Sequence, residues 1–191
     1  MSTRIAILSL AALMVTLAGC AGDGPLDPIV ALPHLARSVP ALSVGAADTE
    51  GALVAQLRQA SVHFRDIQVA LDEGYVQTSP GCVAGFGVVF RHNTLVDGVV
   101  DAGHPEILLY EPQKNGRMRL VGIELLVLAS SWDATHSGPP TYAGQTFEDR
   151  RAPGSAGPPF PNYALHAWIW QHNPNGLFTP FNPTITCQFA P

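Results

Sequence analysis

The chain has 191 residues, a formal net charge of −5 and a low charged fraction of 13%. This length suits one domain with accessory segments, and an acidic balance without a basic stripe argues against nucleic acid as a partner. The 18 glycines and 17 prolines predict abundant loops.

The amino terminus has the pattern of an export signal. Arg4 precedes the apolar run IAILSLAALMVTLA, which is shorter than the roughly 20 residues that a spanning helix needs. The run ends in LAGC, which resembles a bacterial lipobox and implies cleavage before Cys20 and acylation of that cysteine, for example with palmitate. We therefore predict a lipoprotein signal peptide over residues 1–19. The alternative is an ordinary secretory signal with an incidental cysteine.

Acyl chains on Cys20 would hold the protein on a membrane surface without spanning it. Ala21 follows the cysteine, in place of the aspartate associated with inner-membrane retention. The expected location is therefore the periplasmic face of the outer membrane. Residues 20–47 are rich in proline and glycine and are predicted to be a lipidated tether. Residues 48–191 are predicted to form a single α+β domain.

The domain begins with the periodicity of an α-helix. Apolar residues recur at steps of four and three, which places them on one helical stripe: Leu53, Leu57, Ala60, Phe64, Ile67 and Leu71. Asp48 or Thr49 can cap the start, and Gly74 can supply the left-handed residue that ends a helix. The pattern predicts one long amphipathic helix whose apolar stripe packs on a sheet.

The segments that follow have the texture of strands. They are VAGFGVVFR, PEILLYEP, RMRLVGIELLVLA and the stretch that includes YALHAWIW. Asn115-Gly116, between the second and third, is the strongest hairpin signal of the chain. A helix followed by an antiparallel meander predicts an α+β fold, by analogy with the cystatin and nuclear-transport-factor rolls.

Residues 129–162 show no periodicity, so they are predicted to be a long loop. Such a loop inside a compact domain is typical of a functional flap or a disordered insertion. Trp132, Tyr142 and Phe147 can anchor it, which favours a partly ordered flap.

The cysteine count predicts one disulfide. Once Cys20 is assigned to the anchor, Cys82 and Cys187 remain as an even pair in an exported protein. The alternative, a pair of thiolate metal ligands, needs further partners nearby.

Strand parity predicts a face that is partly polar and aromatic. Matching the apolar sets of two strands puts the following residues together under the helix: Val121, Ile123, Leu125, Val127, Leu165, Ala167 and Ile169. Gly122 and Glu124 then share the opposite face with His166, Trp168 and Trp170. This face predicts a pocket in which Gly122 leaves room for a flat ring. The alternative is that Glu124 and His166 form a structural pair.

Several motifs together resemble a family of uncharacterised secreted or lipid-anchored bacterial proteins. The resembling pieces are Gly74-Tyr75, GFGVVF, PEILLYEP, LVGIE, LHAWIWQHNPNGLF and NPTITC, which cover about half of the chain. The resemblance implies architecture and export only. The family segment is closer to Gly-Met-Gly-Val-His-Tyr, so Val89 and Phe90 replace a histidine and a tyrosine. A metal site built on that histidine would lack a ligand here, and His92 has the opposite strand parity.

The leading functional hypothesis is a membrane-anchored exported lipoprotein whose domain binds a small apolar or aromatic molecule, or an envelope protein. One alternative is a structural envelope protein without a ligand. Another is a histidine-dependent zinc or copper site, with His92, His104, His166 and His172 as weak candidates. These histidines show no HxH or HExxH spacing, so no metal and no other cofactor is predicted.

Catalysis has little support in the sequence, although an enzymatic role stays open. No GxSxG or SxxK nucleophile motif is present. Glu124 and His166 can act as an acid/base couple if desolvation brings the carboxyl close to the operating pH. No catalytic residue is predicted.

Overall fold

The structure is a computed structural model that describes residues 49–191. The predicted signal peptide, the predicted lipidation site Cys20 and the predicted tether lie outside these residues. Within the described range, every helix is too short or too polar to cross a membrane.

The predicted amphipathic helix is present but is interrupted once. Helix α1 spans Glu50–Ser61, a 3-10 turn follows over Val62–Arg65, and helix α2 spans Ile67–Asp72. Between them Asp66 has an extended backbone with φ −92° and ψ 111°, and its side chain accepts a hydrogen bond from the Gln68 N–H. An aspartate side chain competes in this way with the hydrogen bonds of a helix. Asp66 therefore caps a new helix, although the apolar stripe in the sequence continues through this position without a break.

Both predicted ends of this helical region have the expected chemistry. The Thr49 hydroxyl accepts a hydrogen bond from the Ala52 N–H at the start of α1. Gly74, just beyond α2, has φ +99°, a conformation that glycine adopts without steric cost.

Eight strands follow the helical region, and six of them form one antiparallel sheet. The strands are β1 Val76–Gln77, β2 Val88–Arg91, β3 Ile107–Pro112, β4 Met118–Leu128, β5 Thr141–Tyr142, β6 Gln145–Thr146, β7 Glu148–Arg150 and β8 Asn162–Ala167. The order in the sheet is β1-β2-β3-β4-β8-β7, and β5 and β6 form a separate pair. Strands β2, β3, β4 and β8 are the predicted strands and are neighbours in this order, whereas the short edge strands β1 and β7 were not predicted. The chain is thus an α+β fold with its helix on one sheet.

One sheet face packs on the helical region and forms the helix-side core. Leu53, Leu57 and Phe64 contact it, and its buried sheet residues include Leu108, Tyr110, Ile123, Leu125, Tyr163 and Leu165. The Tyr110 hydroxyl donates to the Phe64 carbonyl at 2.7 Å, which ties β3 to the 3-10 turn. Hydrophobic burial on this face is what holds the helix against the sheet.

The opposite face forms a smaller second core. Its buried residues are Ile107, Leu109, Val121, Leu126, Trp168 and Ile185, with Phe86, Val89, Val96 and Phe160 packed around them. A β-bulge contributes Val121, because Leu109 pairs with Gly122 while Tyr110 pairs with Leu120. The predicted parity is therefore wrong for Val121, which lies in the second core, and the neighbouring Leu120 takes the position in the helix-side core.

The segment predicted as a long loop, residues 129–162, contains short regular elements. It begins with helix α3, Ala129–Trp132, continues through the β5–β6 pair, and places β7 at the edge of the sheet. Phe147 is buried, and Trp132 and Tyr142 pack against the helix-side core. The longest runs of this segment without a helix or strand are 133–140 and 151–161.

The predicted disulfide between Cys82 and Cys187 is confirmed. It joins the segment before β2 to the carboxy-terminal segment across a separation of 105 residues. Closing so long a loop restricts the unfolded chain, which in the chain-entropy model is worth roughly 4 to 5 kcal/mol of stability.

Candidate functional site

Three ionisable side chains meet in the second core. Glu124 on β4 lies directly opposite His166 on β8, and Arg150 comes from the neighbouring strand β7. Arg150 Nη1 is 2.8 Å from Glu124 Oε1, and His166 Nε2 is 3.2 Å from Glu124 Oε2. All three side chains are at most 2% exposed. We call Glu124, Arg150 and His166 the buried charge cluster.

The cluster keeps Glu124 ionised. Burial alone raises the pKa of this carboxyl, but electrostatic attraction to the nearby His166, followed by the charge and hydrogen bond of Arg150, outweighs burial and holds the pKa below its usual range. A general acid at neutral pH needs the opposite shift. Glu124 is therefore suited to accepting hydrogen bonds and not to donating a proton.

His166 is held more by packing than by directed hydrogen bonds. Despite its closeness to Glu124, Nε2 is not in hydrogen-bonding geometry with any partner in residues 49–191. Nδ1 lies 3.4 Å from Arg150 Nη2. The imidazole meets the Phe86 ring edge-on with centroids 4.9 Å apart, and it stacks parallel to Trp168 at 6.2 Å.

A cavity of about 440 Å³ lies on the same side of the sheet as the second core, and Glu124 borders it. Val89 of β2 and Ile107 of β3 form part of its floor, and Phe86 and Phe181 provide aromatic walls. The remaining lining residues are Thr78, Ser79, Pro80, Val83, Arg91, Ala156, Gly157, Pro158 and Pro159. The cavity is thus mainly apolar with a few polar groups, the usual composition of a small-molecule pocket.

Residues 156–159 cover the buried charge cluster on this side. Gly157 has φ +109°, and a Cβ built on it would stand 2.9 Å from Arg150 Nη1. A side chain here would force this segment or the guanidinium to shift, so glycine suits the close approach. The cover therefore depends on glycine at position 157.

The structure places the predicted ligand-binding residues in different surroundings. Of the five, only Glu124 borders the cavity. Trp168 is buried in the second core and donates its indole N–H to the Thr179 carbonyl. A Cβ on Gly122 would be 3.0 Å from Trp168 Cε3, so the flat ring that Gly122 admits belongs to the protein itself.

The predicted position of Trp170 is wrong. Its ring packs against the helix-side core, and its indole N–H donates to the Ser61 hydroxyl at 3.0 Å. Strand β8 ends at Ala167. Beyond a strand end the alternation of faces no longer applies, so parity cannot assign residue 170.

The structure does not bring the candidate metal ligands together. His92 Nε2 is 2.9 Å from the Glu73 carbonyl, His104 pairs with Asp101, and His166 lies in the buried charge cluster. His172 is exposed. Across residues 49–191, no group of three or more His, Cys, Asp or Glu side chains is arranged to hold a metal ion.

Sequence reasoning missed Arg150 altogether. It lies in the run EDRR, which in the sequence has the character of a solvated charged segment. Two residues of the GFGVVF segment lie on different sides of the sheet: Val89 lines the cavity, and Phe90 packs in the helix-side core.

Comparison of the chain with protein-family models, with curated proteins and with solved structures gave no match.

Proposed function

We propose that the domain is a binding module for a small, uncharged apolar or aromatic molecule, which it holds in the cavity beside Glu124. The observation that carries this proposal is the mainly apolar lining of that cavity. Its volume of about 440 Å³ falls within the usual range of ligand sites.

The chemistry of the walls favours a ligand without net charge. Glu124 is the buried charge at the cavity, and its two oxygens already face Arg150 and His166. A cationic ligand would gain little from a carboxylate that is already neutralised, and an anionic one would meet that carboxylate. Desolvating a ligand charge beside Glu124 costs free energy that the already neutralised buried charge cluster does not repay.

Polar groups near the rim can orient one end of such a ligand. The Ser79 hydroxyl accepts a hydrogen bond from the Val89 N–H, which leaves its own proton to donate. Arg91 lies with its guanidinium 5.5 Å from the centre of the Phe160 ring and donates to Asn93. Val83 and Phe181 are exposed apolar residues of the same lining. An apolar body with a small polar end fits this arrangement.

The amino-terminal sequence and the family resemblance support a proposal about where the domain is located. An exported lipoprotein anchored through Cys20 would present the module at the periplasmic face of the outer membrane. Incorporation of labelled palmitate into the native chain, and its loss in Cys20→Ser, would support that anchor; equal labelling of both would refute it.

Titration with N-phenyl-1-naphthylamine, a neutral apolar fluorescent probe, tests the cavity. We expect saturable binding to the wild type and a loss of affinity of roughly tenfold or more in Val89→Phe, because the larger ring fills the space that the probe would occupy. Val99→Phe makes the same change at an exposed position and serves as the control. Thermal unfolding of both variants establishes that they fold.

Two results would overturn the proposal. One is the absence of saturable binding to the wild type. The other is equal probe affinity in folded Val89→Phe and Val99→Phe. Either would favour the alternative of a structural envelope protein, in which the buried charge cluster only fixes the register of three strands.

A further inference from the structure

A second concave surface, separate from the cavity beside Glu124, lies around the β3–β4 hairpin. It is a groove of about 620 Å³ between that hairpin, the 3-10 turn and Trp170. Its lining residues are Arg65, Gln113, Lys114, Asn115, Arg117, Met118, Arg119, Leu120 and Trp170. We call it the hairpin groove.

The hairpin groove concentrates positive charge in an acidic protein. The chain has ten Lys and Arg residues and a net charge of −5, yet four of these ten line this one groove. They are Arg65, Lys114, Arg117 and Arg119. No aspartate or glutamate is among the lining residues.

The cations of the groove are only partly neutralised by the protein. Arg119 forms an ion pair with Glu111. In the part of the chain that the structure describes, Arg65, Lys114 and Arg117 form no ion pair. Like charges around a concave surface repel one another and raise the local potential, which attracts an anion of complementary size.

Arg65 and Trp170 lie against each other in the wall of the hairpin groove. The guanidinium of Arg65 lies 5.5 Å from the centre of the Trp170 ring, and the indole N–H is fixed by Ser61. A stacked arginine loses less conformational freedom when it binds an oxyanion, because its planar fork is already oriented. The half-buried indole also offers an apolar wall next to the cations.

From these observations we propose that the hairpin groove binds a multiply charged, phosphate-bearing group. Three arginines supply forked N–H donors, which match the oxygens of a phosphate, and Lys114 adds a mobile fourth charge. A single carboxylate would leave most of that charge uncompensated. The same chemistry occurs in a soluble phosphate compound and in a phospholipid headgroup, so the test separates these two sources.

The experiment measures binding of inorganic pyrophosphate by calorimetry and binding to phosphatidylglycerol vesicles by cosedimentation, with phosphatidylcholine vesicles for comparison. The protein is the full chain carrying Cys20→Ser, so that an acyl anchor does not hold it on the vesicles. The test variant is Lys114→Gln/Arg117→Gln, which removes two of the cations. The control is Ala134→Glu/Ser137→Glu, which changes the net charge equally but lies beyond the opposite end of β4.

We expect pyrophosphate to bind the wild type and the control alike, and the test variant to bind roughly tenfold more weakly. Binding of pyrophosphate would identify a soluble phosphate compound as sufficient. Binding to phosphatidylglycerol vesicles alone, lost in the test variant, would identify the headgroup as the source. The proposal is overturned if neither probe binds, or if the test variant and the control lose affinity equally. The cavity beside Glu124 is not involved, so the neutral-probe titration stands or fails independently.

Discussion

The site depends on individual charges whose surroundings decide what they do. Arg150 and Arg151 are neighbours in sequence, but Arg150 is buried against Glu124, and Arg151 is half-exposed between Asp133 and Asp149. Removing one partner of a buried ion pair leaves the other charge without compensation. At the surface, water solvates the remaining charge, so the loss of an ion pair there changes stability little.

Replacement of Arg150 by leucine should therefore destabilise the domain strongly. We expect Arg150→Leu to lower the free energy of unfolding in urea by roughly 3 to 5 kcal/mol, because it strands the Glu124 carboxylate. Arg151→Leu is the matched control and should change it little. Adding Glu124→Gln to Arg150→Leu should restore part of the loss. A loss no larger for Arg150 than for Arg151 would show that the buried charge cluster contributes nothing to stability.

A second buried carboxyl predicts a dependence of stability on pH. Glu106 is 2% exposed, and its Oε2 accepts a hydrogen bond from the Leu126 N–H. Burial, helped by the charges of Asp97 and Asp101, raises the pKa of Glu106 to about 8. The unfolded chain loses this proton at a lower pH than the folded protein. The stability that Glu106 contributes is therefore complete below its unfolded pKa and is lost as the pH rises towards 8.

Glu106→Gln tests this sign. Glutamine keeps an oxygen for the Leu126 N–H but does not titrate, so the variant should gain stability relative to the wild type between pH 5 and pH 8, at no more than about 1.4 kcal/mol per pH unit. Urea unfolding at several pH values measures the difference. Glu50→Gln, at an exposed position, controls for the loss of one charge. A constant difference between wild type and Glu106→Gln would mean that Glu106 is ionised throughout.

At the scale of elements, the irregularities of the sheet decide what faces the cavity. Because of the bulge, Leu120 faces the helix and Val121 faces the second core. Because β8 ends at Ala167, Trp170 can pack on the helix side. Parity arguments hold only along an uninterrupted pleat. This is why the sequence predicts the pairing partner of Glu124 but misplaces residues near an interruption.

The segment that covers the cavity gives a prediction at this scale. Gly154 and Gly157 both have positive φ, but a Cβ at 154 would meet nothing within 4 Å, whereas one at 157 would press on Arg150. Gly154→Ala and Gly157→Ala should each lose about 1 kcal/mol of stability from the backbone conformation. Only Gly157→Ala should also weaken binding of the neutral probe, because the cover must move. Equal probe affinities in the two variants would show that residues 156–159 do not shape the cavity.

At the scale of the whole molecule, the distribution of charge differs from what composition suggests. A net charge of −5 gives no sign of a basic region. The KNGRMR hairpin and Arg65 are 49 or more positions apart in sequence, yet they line one groove with Trp170. The cavity likewise joins residues of the segment before β2, of 156–159 and of the carboxy-terminal region. No short stretch of the sequence predicts either the cavity or the hairpin groove.

The sequence by itself determined the α+β class, the helical region that packs on an antiparallel sheet, and the pairing of Cys82 with Cys187. Each of these follows from local periodicity or from counting, which the chemistry of neighbouring residues controls. Only the tertiary structure decided that Arg150 joins Glu124 and His166, that Trp170 faces the helix, and where the cavity and the hairpin groove form. Those features depend on distances between residues far apart along the chain, and such distances are set by packing and not by local pattern.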